Sequence, residues 1–322
     1  MKRTSKIKNT LAELRFVRSV KDLKILYDKL QFYRRLYRND YHRPTVVPLS
    51  LQIEPTNHCN VRCSCCSRQR MKRAKGYMDF QLFSKIVDEA SQAGIKRVEL
   101  YLHGEPLMHP EIARMMAYLQ LRQVSVNLTS NGMLLDSARS AAILKSYPSS
   151  AAFITVSILG ASAEVHEKTM KGVNHDRVTE NIHNFLKLRK QHKANGPIIQ
   201  TIFYRLDENA NEADQYAAQW QNVVDHANYT DTISQAFARR GSGDGAIPIR
   251  DRICTQVFRR MIVYWNGDVT ICCNDIDGDH VVGNLERQSI REIWNCPKMA
   301  SFRKISIEKR FASIPLCEHC DM

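Results

Sequence analysis

Three cysteines, Cys59, Cys63 and Cys66, stand in a C-x3-C-x2-C run just after the apolar segment 47–53. Three thiolates this close together can hold three irons of a cubic iron–sulfur cluster and leave the fourth iron without a protein ligand. An open iron is a place where a small molecule can bind and be reduced. A zinc knuckle or a redox dithiol could use such a run too, but zinc sites usually take four ligands in two spaced pairs. His58 abuts Cys59 and is badly placed to share its metal. The three-then-two spacing favours Cys66 over its neighbour Cys65 as the third ligand, and the choice between them stays open.

Further along, Leu102-His-Gly-Glu-Pro-Leu-Met108 closes a second strand-like segment. Gly104 lets backbone approach a ligand closely, and Glu105 beside it can accept hydrogen bonds from an ammonium group. Two more strand-like segments end in Leu128-Thr-Ser-Asn-Gly132 and Thr155-Val-Ser-Ile-Leu-Gly-Ala161, offering Ser130, Asn131 and Ser157 as polar groups.

A second cysteine constellation lies near the C-terminus. Cys254 is followed by twelve residues, Gly267, four more residues and Cys272, and the chain closes on Cys317-Glu-His-Cys320. A hairpin over 261–272, turning at Asn266-Gly267, would bring Cys254 and Cys272 together, with two positive φ angles at the turn. Cys273 is an alternative to Cys272; the pleat puts neighbours on opposite faces, so only one should ligate. Cys296 reads as structural. Four cysteines also suit a structural zinc site.

The segment from Glu54 to Cys66, followed in order by Gly104-Glu105-Pro106, resembles the cluster loop and amino-group-binding strand end of the radical S-adenosylmethionine (radical SAM) superfamily. The Cys254, Gly267, Cys272 and Cys317-x2-Cys320 pattern resembles the Twitch version of the SPASM extension, with an arrangement like that of aminocyclitol dehydrogenases. The resemblance covers residues 48–322. It implies a three-cysteine [4Fe–4S] cluster that binds S-adenosylmethionine, and an auxiliary [4Fe–4S] cluster on Cys254, Cys272, Cys317 and Cys320. Gly104, Glu105 and Pro106 would bind the methionine amino group. Ser130 and Asn131 would lie near the cofactor, and Ser157 would reach its ribose or carboxylate. Two departures stand out: Leu159 where many relatives carry Asp, and Cys65 where they carry an aromatic. The implied activity is reductive cleavage of S-adenosylmethionine, with electrons from a flavodoxin or ferredoxin, and hydrogen abstraction from a substrate. A fully ligated auxiliary cluster implies a net oxidation, of a sugar, an aminocyclitol or a similar polyol. Modification of a peptide or protein is the alternative, and a non-enzymatic iron–sulfur protein binding nucleic acid the remote one. Oxidation also needs a base for a hydroxyl proton; His103, Arg239 and Arg240 are polar groups near strand ends.

The elements that must position these groups alternate between strand and helix. Strand patterns cover 47–53, 97–102, 124–129, 153–158, 198–204 and 230–236. Helical patterns cover 79–93, 111–121, 136–144, 177–192 and 211–224. Six such units predict an α/β fold, a partial (β/α)6 barrel over 46–240 with its chemistry at the C-terminal strand ends. Residues 1–45 read as a basic helical extension. Residues 241–322 read as a small auxiliary-cluster domain: a linker at 241–246, the hairpin, and a helix near 289–304. The chain has 322 residues, 43% hydrophobic, with a net charge of +14. That suits a buried core and anionic partners. No dedicated nucleic-acid motif appears, and no run is long enough to span a membrane. Ten cysteines without a secretory signal point to metal or redox chemistry in a reducing cytoplasm.

Overall fold

The computed structural model describes residues 44–230, 253–318 and 320. Almost all of the expected helical extension lies outside these residues, as do Arg239, Arg240 and the linker at 241–246.

Six parallel strands form the frame: β1 (Ser50–Ile53), β3 (Arg97–Leu100), β4 (Ser125–Ser130), β5 (Ala152–Ser157), β7 (Ile198–Tyr204) and β8 (His226–Thr230). Two-residue strands β2 (Arg62–Cys63) and β6 (Met170–Lys171) pair with each other as a separate ribbon. Helices α1 (Phe80–Gln92), α2 (Ile112–Leu121), α3 (Ser137–Ser146), α4 (Ala163–Thr169), α5 (His175–Gln191) and α6 (Ala213–Trp220) lie between the strands. Parallel strands need such crossovers, and the helices cover one face of the sheet.

The two faces of the sheet differ in chemistry. Leu51, Ile53, Val98, Leu100, Val126, Leu128, Ile154, Val156, Ile199 and Phe203 are buried. Alternate positions on the other face carry Gln52, Glu99, Asn127, Thr155 and Gln200. A parallel register aligns Gln52 with Glu99 and Asn127, and Thr155 with Gln200. The helices supply the matching apolar side. For example, α1 buries Leu82, Phe83, Ile86, Val87 and Ala90, and each large side chain so buried contributes roughly 1.5–3 kcal/mol. Asp79 caps α1 by accepting hydrogen bonds from the Gln81 and Leu82 amides, satisfying donors that would otherwise be orphaned.

The C-terminal segment continues this same sheet. β9 (Arg260–Val263) pairs parallel to β1, β10 (Asp268–Thr270) pairs antiparallel to β9, and β11 (Val281–Asn284) follows β10. The nine-stranded order is β11-β10-β9-β1-β3-β4-β5-β7-β8. The whole is a mixed α/β fold with a mainly parallel sheet, as in a partial barrel.

The sixth parallel strand described is His226–Thr230; the strand expected over 230–236 lies, but for Thr230, outside the described residues. Two expectations are corrected. The hairpin turn has a positive φ only at Gly267 (84°). Gly267 N donates to Tyr264 O at 2.9 Å and Tyr264 N to Asp268 O at 2.8 Å, giving a three-residue loop rather than a two-residue turn. Finally, the single helix expected near 289–304 is two, α7 (Ile290–Trp294) and α8 (Pro297–Ile307). Pro297 has no N–H to continue α7 and instead opens α8, just inside its N-cap Cys296. A last short helix, α9, spans Pro315–Glu318. No helix among the described residues is long and apolar enough to cross a membrane.

Candidate active site

The cysteine loop leaves the C-terminal end of β1. Its three cysteines are half-buried and free. Burial pushes the thiols of Cys59, Cys63 and Cys66 upward, while Arg68 beside them pulls the other way. Cys59 and Cys63 both feel the charge of Cys66. Cys65, pushed up to about 12 by burial and Cys66, feels Glu208 instead and acts on Tyr204 at the end of β7. Cys63 also feels Cys65, so all four thiols of the loop lie near one another and the choice between Cys65 and Cys66 as third ligand stays open. The hydroxyl of Ser67, next to Cys66, is buried and has no partner among the described residues.

Gly104 is wedged against the loop: a Cβ there would lie 2.1 Å from the Thr56 carbonyl oxygen. Only glycine permits that approach. Glu105 N donates to His58 O at 2.8 Å, fastening the β3 strand end to the cysteine loop. The Glu105 side chain is buried and accepts three hydrogen bonds: from Leu107 N (3.0 Å), Ser130 Oγ (2.8 Å) and Asn131 N (2.7 Å). Burial raises its pKa, these donors lower it in part, and among the described residues no positive side chain contributes to it. A buried carboxylate with hydrogen bonds but no cation is half of an ion pair. Pro106 opens the 3₁₀ turn that follows.

Ser130 and Asn131 are thus spent in holding Glu105. Asn131 Nδ2 also donates to Asn60 Oδ1 at 2.8 Å and lies 4.0 Å from Cys59 Sγ. Ser157 ends β5, in register with Ile202.

A polar network missed in the sequence joins the loop to the C-terminal cysteines. Arg73 Nη2 and Nη1 donate to the buried Glu54 at 2.9 and 3.1 Å. The guanidinium stacks on Tyr264, 3.7 Å from the ring centre, and its Nε donates to Ile276 O at 2.9 Å. His103 Nδ1 lies 3.3 Å from Glu54 Oε1, and its Nε2 lies 2.8 Å from Cys273 O. A carbonyl only accepts, so Nε2 carries a proton. Both ring nitrogens are committed to this junction, which corrects the expectation that His103 is free to act as a base. The only sequence signal was Glu54, a lone carboxylate at a strand end; nothing marked Arg73.

Cys254, Cys272, Cys317 and Cys320 line one apolar cavity with Phe302 and Phe311. Cys273 is absent from that lining. Its thiol is lowered by the Cys272 hydrogen bond and by nearby Arg260. Cys296 caps α8, its sulfur accepting from Met299 N at 3.4 Å. Among the described residues no three His, Cys, Asp or Glu donors close around a single ion.

The polar face of the sheet runs from β1 across to β8. Arg260 Nη1 donates to Gln52 Oε1 at 2.9 Å and pairs with Glu99 at 3.2 Å. Tyr101 Oη donates to Glu99 Oε2 at 2.9 Å. Thr155 donates to Asn127 at 2.8 Å, Gln200 to Thr155 at 2.7 Å and Asn228 to Gln200 at 3.3 Å.

Comparison with known proteins follows the same division. A radical SAM superfamily model matches residues 53–217, and an iron–sulfur cluster-binding domain model, SPASM, matches residues 254–321. The chain is 22% identical over 276 residues to an S-adenosyl-L-methionine-dependent 2-deoxy-scyllo-inosamine dehydrogenase of Niallia circulans, covering 84% of this chain and 92% of that protein. Other curated relatives are matched over about a quarter of their own length. One is a tungsten-containing aldehyde ferredoxin oxidoreductase cofactor-modifying protein of Pyrococcus furiosus, 35% identical over 86 residues, 26% of this chain and 24% of that protein. Among solved structures, BtrN in complex with AdoMet and 2-DOIA superposes with a TM-score of 0.58 at 20% identity, covering 86% of this chain and 94% of that one. Native anSMEcpe with bound AdoMet and Cp18Cys peptide gives 0.60 at 16%, covering 85% and 89%.

Proposed function

Because the chain belongs to the radical SAM superfamily, we propose that it is an oxidoreductase that takes a hydrogen atom from a hydroxyl-bearing small molecule, a sugar or aminocyclitol, and completes a two-electron oxidation. The cofactors are those of the superfamily, S-adenosylmethionine and a [4Fe–4S] cluster, with auxiliary iron–sulfur chemistry in the SPASM domain. When bound, they supply a 5′-deoxyadenosyl radical and an electron acceptor, chemistry that side chains cannot provide.

In this reading Cys59, Cys63 and Cys66 hold the first cluster. Glu105, held by Ser130 and Asn131, takes the ammonium group its surroundings lack, and Gly104 lets the backbone pass beside it. Cys254, Cys272, Cys317 and Cys320 hold the auxiliary cluster, with Ser157 facing the cofactor at the end of β5. The substrate carbon would lose its hydrogen atom to the 5′-deoxyadenosyl radical, the hydroxyl would lose its proton to a base, and the remaining electron would pass to the cluster that the auxiliary cysteines would hold.

The observation that carries the substrate class is the polar face of the sheet, which runs from β1 to β8. Asn127, Thr155, Gln200 and Asn228 offer donors and acceptors suited to hydroxyl groups, as buried polar surface demands matching partners. The dehydrogenase relative supports the same class. The fold likeness to anSMEcpe, solved with a peptide, supports peptide modification as the second reading.

The test is to give the anaerobically reconstituted protein S-adenosylmethionine, dithionite and a panel of polyols and aminocyclitols deuterated at carbinol carbons. Deuterium in 5′-deoxyadenosine and a ketone product support the proposal. Transfer only from peptides would favour the second reading.

A further inference from the structure

The rim of the cysteine loop carries an unusual charge pattern. Between Glu54 and Asp79 the chain has six lysines and arginines and no carboxylate. Two of the six have inward tasks: Arg73 is bound to Glu54, and Arg68 donates to Val61 O at 3.2 Å beside the cysteines. Arg62, Arg70, Lys72 and Lys75 are exposed.

The β2–β6 ribbon adds to this. Its register sets Arg62 directly opposite Lys171, and both are exposed. Like charges facing each other across an antiparallel pair are destabilising. The ribbon is nonetheless anchored to the cysteine loop, since Ser64 N donates to Thr169 O at 2.8 Å and Cys63 pairs with Met170. Lys168, next along α4, is exposed as well, while the carboxylate of Glu167 accepts from His175 N at 3.0 Å. On the other side Arg70 and Lys72 share a cleft with Asp277 and Asp279, and Lys168 has exposed Glu164 and Glu167 beside it on α4, so the cationic pair of this rim is Arg62 and Lys171.

This rim is also a short route from solvent to the cysteines. Arg62 and Ser64 flank Cys63 and are exposed, and the exposed Gln69 donates to Cys63 O at 3.0 Å.

We propose that the Arg62–Lys171 rim is the docking face for an acidic one-electron carrier protein that reduces the site held by Cys59, Cys63 and Cys66. The assignment rests on the radical SAM reading of those cysteines. A cationic rim draws an anionic partner and orients it over the shortest path, with a rate that falls as salt rises. Electron-transfer encounters are weak and small, so charge can dominate them. The repulsive pair then has a purpose: an anionic carrier relieves it.

The Lys171→Glu variant separates docking from folding, because it turns the like-charge pair into an opposite-charge pair. The full-length reconstituted protein and this variant are compared with two reductants, an acidic flavodoxin and dithionite, and flavodoxin binding is measured directly by calorimetry at low and high salt. The expected result is weaker flavodoxin binding and about ten-fold slower flavodoxin-driven 5′-deoxyadenosine formation at low salt, with a flatter salt dependence. Dithionite-driven formation should be unchanged. Unaltered flavodoxin binding and rate would overturn the proposal. So would a variant whose only change is weaker binding of a single-stranded oligonucleotide, which would assign the rim to nucleic acid. Absence of product with dithionite would instead count against the radical SAM reading of the cysteines, while the calorimetric comparison still decides the docking face.

Discussion

Arg73 grips Glu54 through two parallel hydrogen bonds while lying flat on Tyr264, so one guanidinium ties the end of β1, the segment after the cysteine loop and the C-terminal hairpin together. The Glu54 side chain is fully buried and that of Arg73 is 11% exposed. Removing one partner of such a pair leaves a buried charge uncompensated, at a cost of about 3–5 kcal/mol. Arg73→Leu should lower the melting temperature and loosen the hairpin against the barrel. Arg73→Lys should rescue little, since an ammonium can neither fork onto both carboxylate oxygens nor stack as a plane. Thermal melts of both variants, with hydrogen exchange at Tyr264 and Trp265, check this; an intact melt in Arg73→Leu would show that the junction is held by packing alone.

The same pair sets an acid limit. Burial pushes the Glu54 carboxyl up, but hydrogen bonds from His103 and Arg73 and the Arg73 charge outweigh it, holding the group below its ordinary 4.5. A carboxylate whose pKa is depressed on folding contributes stability that is complete above the unfolded value and is lost as pH falls through the folded one. The stability advantage of the native protein over Glu54→Gln should therefore be constant above about pH 4.5 and shrink below it. Melting the two proteins in parallel across pH 3–7 cancels acid effects common to both. An advantage that grew on acidification would contradict the assignment.

Glu105→Gln tests the half-formed ion pair. Three donors converge on the carboxylate, and the amide nitrogen of glutamine would face one of them, so the variant loses charge and gains a clash of donors. Hydrogen bonds to charged groups are worth about 1.5–3 kcal/mol. S-adenosylmethionine affinity should fall roughly ten- to hundred-fold by calorimetry on the reconstituted protein, with iron content unchanged. Unchanged affinity would mean that Glu105 only braces the Ser130 and Asn131 strand end.

The barrel frame was legible because its strands and helices are locally patterned: 198–204 alternates between the two sheet faces, and Asp79 announces α1. What was not legible depends on partners far away in sequence. Nothing near Met261 shows that β9 pairs with β1, more than 200 residues earlier. Two-residue strands such as Arg62–Cys63 are too short to leave a period. Asn266-Gly267 marked a hairpin correctly, but the dipeptide cannot tell a two-residue from a three-residue loop. At the site, spacing pointed to the cysteines and to Glu105, whereas the Arg73 junction and the Glu99–Arg260 pair exist only once the sheet is assembled. Ser130 and Asn131 were noticed as strand-end polar groups, yet their work for Glu105 needed coordinates.

Cys272 and Cys273 are neighbours that the sequence could not tell apart; their thiols share a hydrogen bond, and only Cys272 lines the cavity. Cys272 faces the cavity with Cys254, Cys317 and Cys320, while Cys273 turns toward Arg260 and offers its carbonyl to His103. If the cavity holds the auxiliary cluster, Cys272→Ala should lower iron content below the about eight per chain of two full clusters, because the auxiliary cluster loses one of its four anchoring thiolates. Cys273→Ala should keep the full complement, since its backbone carbonyl survives the change. Iron and sulfide assays with Mössbauer spectra read this directly. Iron loss in Cys273→Ala with retention in Cys272→Ala would reverse the assignment and require the β10 end to rotate by one residue, carrying the His103 bond with it.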